Sequence, residues 1–360
     1  MKKRFEIAVL PGDGIGPEVM APTLDILRLV CSGFELGLTS FDAGAGHYER
    51  TGESIPDSVL DAARRSDAIL LGAMGLPHIR YENGTEIAPQ LELRELLHLY
   101  AGVRPIQTFE GVPLPLASPK ASKLDLVLVR ESTEGLFASR GSQDIDGDEV
   151  ARDTMVVSRP TCEKLFDFAF ELARQRKSRG LAGRVTCVDK ANVLTSMAFF
   201  RRIFYERAER YPDITADCCY VDAVALKLVK QPWEFDVLVT ENMFGDILSD
   251  MGAGLMGGLG MAPSADIGSE HAVFQPCHGS APDIAGQGKA NPVATFLSAA
   301  LMLEWLGEKH QLPAMNHAAD RIRTAIRAVF LRGDLLPFEF GGQAGTSEVA
   351  HAVARELDGS

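Results

Sequence analysis

Positive charge is scarce in this 360-residue chain: 36 lysines and arginines face 49 aspartates and glutamates, for a net charge of −13 at pH 7. A protein that binds nucleic acid by neutralising phosphates needs the opposite balance. Long uncharged runs are also missing. The longest, Met251 to Ala265, has 15 residues and is rich in glycine, whereas a membrane-spanning helix needs about 20 mostly apolar residues. Behind the basic Met1-Lys2-Lys3-Arg4, the apolar run extends only from Ile7 to Leu10. A signal-peptide core takes roughly 7–15 apolar residues, so the cytoplasm is expected rather than secretion or a membrane. Cysteines are few and scattered: Cys31, Cys162, Cys187, Cys218, Cys219 and Cys277 form no C-x-x-C pair. They read as reduced thiols in a reducing compartment, not as a zinc cluster or a disulfide framework. Neither the loop from His278 nor the N-terminal glycine turn is the dinucleotide fingerprint G-x-G-x-x-G. Gly12-Asp13-Gly14-Ile15-Gly16 is followed by Pro17 where the third glycine would have to stand, which disfavours a Rossmann fold.

What remains is an ordinary globular composition, 46% apolar and 24% charged. The length is enough for two domains. Short apolar runs alternate with longer amphipathic ones. Strands are expected at Phe5–Leu10, Phe34–Leu38, Ala68–Leu71, Leu124–Val129, Arg184–Val188 and Phe235–Val239, and helices at Leu91–Tyr100, Thr161–Arg176 and Ser196–Arg210. Strand-helix alternation with short connections predicts an α/β protein with largely parallel sheets. Two stretches interrupt it. One is a loop at 76–90, and the other is a polar segment at 139–160 flanked by the β-prone Thr154–Val157. Long loops in compact domains tend to be functional.

Several residues are equipped for chemistry. In Gly245-Asp246-Ile247-Leu248-Ser249-Asp250, Asp246 and Asp250 lie four apart, hence on one face of a helix. Such a pair either complements the helix dipole or flanks a hard cation such as Mg²⁺ or Mn²⁺. Asp222 is an acid in an apolar setting, which alone reads as a cap. Arg94 and Arg104 lie in and beyond the 91–100 helix, and Arg130 ends a strand. Arginine clamps carboxylates with paired hydrogen bonds, or simply makes salt bridges. Lys190 follows a strand and is either solvated or a base with a lowered pKa. From His278 to Pro292 runs a glycine-rich loop that leads into a helix with Asn291 as its cap. Such a loop can wrap a nucleotide.

These elements together resemble the β-decarboxylating dehydrogenase family, which includes isocitrate, 3-isopropylmalate, homoisocitrate and tartrate/D-malate dehydrogenases. The likeness runs from Leu10-Pro11-Gly12-Asp13-Gly14-Ile15-Gly16-Pro17-Glu18 to the chain end. The block Phe244–Asp250 and the loop from His278 carry it most specifically. The resemblance implies an isopropylmalate dehydrogenase-like fold of two α/β domains with mostly parallel sheets. It places the first domain at 1–104 plus 258–360 and the second at 105–257, with an arm at 139–160 that clasps the partner of a homodimer. Carried over residue by residue, Arg94, Arg104 and Arg130 clamp the carboxylates of a small dicarboxylate, and Gln90 and Leu91 face its C3 substituent. Asp222, Asp246 and Asp250 surround Mg²⁺ or Mn²⁺. Lys190 and Asp222 are the catalytic residues, both contributed across the dimer, so that the two active sites are shared between subunits. His278, Gly279, Ser280, Ala281, Pro282, Asp283, Ile284 and Asn291 hold the dinucleotide. Asp283-Ile284 stands where NADP-using relatives carry basic and aromatic residues, and a carboxylate there repels a 2′-phosphate and accepts from a free 2′-hydroxyl. NAD is therefore expected.

Two departures stand out. In Arg130-Glu131-Ser132-Thr133-Glu134-Gly135-Leu136-Phe137, phenylalanine occupies the place of a tyrosine that donates a proton after decarboxylation; Tyr81 is a candidate substitute. Gln275 replaces a usual glutamate near the nucleotide. Ile87 and Leu91 suit an apolar C3 substituent and Gln90 a polar one. The expected substrate is a 3-substituted (2R)-malate, with 3-isopropylmalate first and D-malate or tartrate second. A regulatory subunit without turnover is the reading from another class, supported by Phe137 alone.

Overall fold

The computed structural model describes residues 2–141 and 144–359. Among them the strands are β1 Lys3–Gly12, β2 Phe34–Ser40, β3 Ala68–Ala73, β4 Ala101–Gln107, β5 Asp125–Glu131, β6 Asp144–Asp146, β7 Val150–Arg152, β8 Arg184–Asp189, β9 Thr215–Tyr220, β10 Val237–Thr240, β11 Pro263–Ile267 and β12 Ala272–Pro276. The helices are α1 Gly16–Val30, α2 Ala45–Thr51, α3 Asp57–Arg65, α4 Pro89–Leu96, α5 Arg159–Ser178, α6 Thr195–Ala208, α7 Val221–Lys230, α8 Asn242–Leu255, α9 Val293–Lys309, α10 Pro313–Arg332 and α11 Thr346–Asp358. The chain forms two compact units. The first is Met1–Leu97, Thr108–Pro115 and Ala253–Ser360; the second is His98–Gln107 and Leu116–Gly252.

In the first unit the strands run in the order β2-β1-β3-β12-β11. The β1–β2, β1–β3 and β3–β12 pairs are parallel, and β11–β12 is antiparallel. Every residue of β3, β11 and β12 is buried, as expected of strands covered on both faces. α9 is buried along most of its length, from Val293 through Leu306. In the second unit the order is β4-β5-β10-β8-β9. Only β4–β5 is antiparallel; the β5–β10, β10–β8 and β8–β9 pairs are parallel. The α/β class with mostly parallel sheets is therefore as the sequence predicts.

The helix expected at 91–100 is shorter. α4 stops at Leu96, and His98 takes a left-handed φ of +50°, which a continuing helix cannot accommodate. The chain then enters β4, so Arg104 lies on a strand. The segment at 139–160 does contain a hairpin, but its strands are β6 and β7 rather than Thr154–Val157. Gly147, at φ +58°, turns between them. Residues 142 and 143 of the expected arm lie outside the described residues.

Candidate active site

The loop expected to hold the dinucleotide is built against the first turn of α1. Gly14 has φ +58°, and a Cβ there would stand 2.0 Å from the Ser280 carbonyl oxygen. Only glycine allows that approach. Ile15 N–H donates to the same oxygen at 2.8 Å, and the Ser280 hydroxyl donates to the Gly75 carbonyl. Ala281, Ile284 and Ala285 pack on the buried Ile15, Val19 and Ala290. Glu18 accepts from Gly286 N (3.1 Å), Ala290 N (3.2 Å) and the Thr346 hydroxyl (2.6 Å), so one carboxylate ties the far half of the loop to α1 and α11. Asn291 is buried; its amide donates to Glu339 at 2.9 Å and its oxygen accepts from Val293 N at 3.3 Å. The N-cap of α9 is Pro292 rather than Asn291, because the Pro292 carbonyl accepts the first helical bonds; Asn291 stands one residue before it.

Two polar groups of this loop have no protein partner. His278 Nδ1 lies 2.9 Å from the Gly279 carbonyl, while its Nε2 is buried without a hydrogen bond. Burial holds the imidazole below its ordinary pKa. The exposed Asp283 accepts no protein hydrogen bond on its carboxylate among the described residues; only its carbonyl is engaged, by Gln287 at 2.7 Å. An unpartnered acceptor on an exposed turn and an unpartnered buried ring nitrogen fit a bound dinucleotide.

Elsewhere in the first unit, Arg94 sits in the last turn of α4, buried, with Nε donating to Asp266 at 2.9 Å. Gln90 lies one turn earlier. Its Oε1 is buried and has no hydrogen-bond partner, so it does not point to water. Leu91 is partly buried. Ile87, in contrast, is fully buried in a cluster with Ala45 and Ile79. It belongs to the core and cannot line the substrate's apolar side as the sequence had implied. Tyr81 donates to Glu92 at 2.8 Å and packs edge-on against Tyr48, with ring centroids 5.2 Å apart. Gln275 is buried and its amide donates to Asp266 at 3.0 Å.

The second unit gathers the remaining candidates into two groups. In one, Lys190 Nζ donates to Asp222 Oδ1 at 2.7 Å and stands 5.8 Å from the Tyr220 ring centroid. The lysine's hydrogen bond pulls the Asp222 carboxyl below the usual carboxylate range. Next to Lys190, the fully buried Asp189 is held by both Nε (2.7 Å) and Nη2 (2.6 Å) of Arg201. In the other group, Arg130 donates from Nε to Asn242 at 2.9 Å and from Nη1 to Asp246. Its guanidinium carbon lies 5.4 Å from the centroid of the Phe137 ring. Asp246 and Asp250 lie one turn apart on α8, and Arg104 is buried on β4. Burial, and then the Asp246 charge, push the Asp250 carboxyl upward, while Arg130 and Arg104 oppose the rise.

Two hard-oxygen carboxylates that repel one another fit a divalent cation between them. Asp222 does not join them: among the described residues no group of three acidic, histidine or cysteine side chains converges on one point. Sequence reasoning missed Asn242, which orients Arg130, and Asp266, which holds Arg94. Asn242 had a local signal, since it opens the helix that carries the aspartates. Asp266 had none, being separated from Arg94 by 172 residues.

The profile of the isocitrate/isopropylmalate dehydrogenase family matches residues 6–353. The 3-isopropylmalate/3-methylmalate dehydrogenase of Methanocaldococcus jannaschii is 42% identical over 353 residues, covering 98% of each chain. The 3-isopropylmalate dehydrogenase of Moorella thermoacetica is 42% identical over 366 residues, covering 98% of this chain and 99% of the relative. Among solved structures, isocitrate dehydrogenase from Methylococcus capsulatus superposes with a TM-score of 0.87 at 37% identity, covering 98% of this chain and 99% of its own.

Proposed function

The chain belongs to the isocitrate/isopropylmalate dehydrogenase family and is a decarboxylating dehydrogenase, and from that premise we propose that it oxidises and decarboxylates a 3-substituted (2R)-malate with NAD and Mg²⁺ or Mn²⁺. The observation that carries the reading is the arrangement on α8, where Asp246 and Asp250 repel one another beside the buried Arg130. A cation and an anionic substrate together resolve that arrangement. Asp246 and Asp250 would hold the cation together with Asp222 of the partner subunit. His278, Gly279, Ser280, Ala281, Pro282, Asp283, Ile284 and Asn291 would hold NAD. The chemistry the bound groups supply is hydride acceptance by the nicotinamide and polarisation of the C2 oxygen by the cation.

The chain's own residues do the rest. Arg94, Arg104 and Arg130 bind and orient the carboxylates through their guanidinium forks. Lys190 takes the C2 hydroxyl proton, and its ion pair with Asp222 fixes where its nitrogen stands. The β-carboxylate then leaves as CO₂, and the resulting enol is protonated at C3. Phe137 has no proton to give at that step.

The C3 substituent is best assigned as isopropyl, on the strength of Leu91 and the relatives' names. Gln90 favours a second reading: a buried acceptor without a donor is costly, and the C3 hydroxyl of tartrate would supply one. A homodimer is supported by surface that a single chain leaves exposed. The β6–β7 hairpin is exposed throughout and carries Ile145 at 63% exposure, and an isolated two-stranded hairpin is marginal in water. α7 exposes Leu226 and Val229, at 60% and 55%. Six free thiols suit the cytoplasm. No helix among the described residues is long and apolar enough to cross a membrane.

The test is NADH and CO₂ release from 3-isopropylmalate, 3-methylmalate, (2R)-malate and tartrate, with Mn²⁺ and with excess chelator. Equal yields of NADH and CO₂ that disappear with chelator are expected. Turnover in chelator, or NADH without CO₂, would overturn the reading.

A further inference from the structure

A charge buried inside a strand is expensive unless it is paired, and β11 contains one. Asp266 is 1% exposed, in a strand whose five residues are all buried. Its Oδ2 accepts from Arg94 Nε at 2.9 Å and from Gln275 Nε2 at 3.0 Å. Gln275 comes from the neighbouring strand β12, two residues along from Val273, which pairs directly with Asp266. Arg94 arrives from α4. The three side chains join a helix and two strands at one carboxylate oxygen.

The way Arg94 is bonded matters more than the pairing itself. Among the described residues it donates to protein only through Nε, its two terminal nitrogens make no hydrogen bond to protein, and the side chain is 10% exposed. The guanidinium is planar, so fixing the Nε–H direction fixes the plane and aim of the terminal fork. A salt bridge made only for stability has no reason to leave the fork unengaged. The neutral amide at 275 gives Asp266 a second donor without adding a charge. A carboxylate in its place would compete for the same guanidinium.

We propose that Asp266, steadied by Gln275, is a positioning residue for substrate binding: it locks Arg94 through Nε and presents the terminal fork to a substrate carboxylate. This rests on the reading of Arg94 as a carboxylate ligand. Orientation set before binding lowers the entropic cost of forming the paired hydrogen bonds, so the effect belongs in substrate affinity.

The experiment measures kcat, the KM for whichever malate of the substrate panel turns over fastest (the malate KM below) and the KM for NAD, with Mn²⁺, in the parent, Arg94→Gln, Asp266→Asn and the double variant, alongside thermal melting. Arg94→Gln should raise the malate KM roughly a hundredfold and Asp266→Asn about tenfold, the scale of a lost charge-assisted hydrogen bond. The NAD KM and kcat should change less than about twofold in Asp266→Asn. Because Asp266 acts through Arg94, the double variant should be no worse than Arg94→Gln alone. If Asp266→Asn does not fold, Gln275→Ala takes its place, with a several-fold rise in malate KM expected. The proposal is overturned if Arg94→Gln raises the malate KM while Asp266→Asn, or Gln275→Ala in its stead, leaves it unchanged, or if the two effects multiply. An unchanged malate KM in Arg94→Gln overturns the clamp reading itself, and the proposal with it.

Discussion

Phe137 is 39% exposed and its ring lies 5.4 Å from the Arg130 guanidinium carbon, within reach of a cation–π contact. What it lacks is a proton. In the proposed mechanism, hydride transfer uses residues that are all present, whereas protonation of the enol calls for an acid at this position. General acid catalysis is typically worth about 10²–10⁴-fold, so a late step should limit turnover. A burst of enzyme-bound NADH ahead of slower steady turnover is expected in the native enzyme. Phe137→Tyr should raise the steady rate and shrink the burst, as read by stopped-flow absorbance. Tyr81 is a poor substitute, because its hydroxyl is already given to Glu92 at 2.8 Å. Asp283 invites a second single-residue test. Its carboxylate is exposed and has no protein partner among the described residues, while Ile284 packs on Ile15 and Val19. The charge can therefore be changed without disturbing the apolar cluster. Asp283→Lys should shift the ratio of kcat/KM values from NAD toward NADP by about tenfold or more, since it removes a repulsion and supplies a cation for the 2′-phosphate. An unaltered ratio would remove Asp283 from the ribose site.

At the scale of elements, the loop from His278, proposed to hold the dinucleotide, depends on a helix far from it in sequence. Glu18 in the first turn of α1 is the acceptor for two loop amides and for Thr346 at the start of α11. Glu18→Gln keeps the shape but weakens those bonds. It should lower stability by about 1–3 kcal/mol and raise the NAD KM several-fold with little change in malate KM, measured by urea unfolding and steady-state kinetics. Legibility from sequence also divides by element. β3 and β10 could be read because their buried positions are continuously apolar. β4 could not, because Arg104 and Pro105 interrupt its apolar run. β11 is disguised by Pro263, Ser264 and Asp266, and β9 by partial exposure and Asp217. The candidate site follows the same rule. Asp246, Asp250 and the His278 loop announce themselves by spacing, which is local. Asp266 and the burial of Ile87 are set by tertiary neighbours and have no pattern to find.

The whole molecule leaves apolar surface where a single chain has nothing to cover it: Ile145 on the hairpin, Leu226 and Val229 on α7, and Ile247 on α8. Leu226→Glu with Val229→Glu should yield monomers by sedimentation velocity and should abolish turnover, although neither residue carries chemistry. A dimer that persists, or an active monomer, would show that these positions lie outside the assembly. The Lys190–Asp222 ion pair, 2.7 Å across within one chain, has a genetic corollary. In the proposed shared site, the two residues form one set donated to the neighbouring subunit and are inherited together. Chains carrying Lys190→Gln, coexpressed with chains carrying Asp246→Asn, should regain activity. In a mixed dimer one site receives an intact Lys190 and Asp222 from one subunit and an intact Asp246 from the other. Chains carrying Lys190→Gln and Asp222→Asn should never rescue each other, because each spoils the half-site it exports. The pair thus divides loss-of-function alleles into two complementation groups.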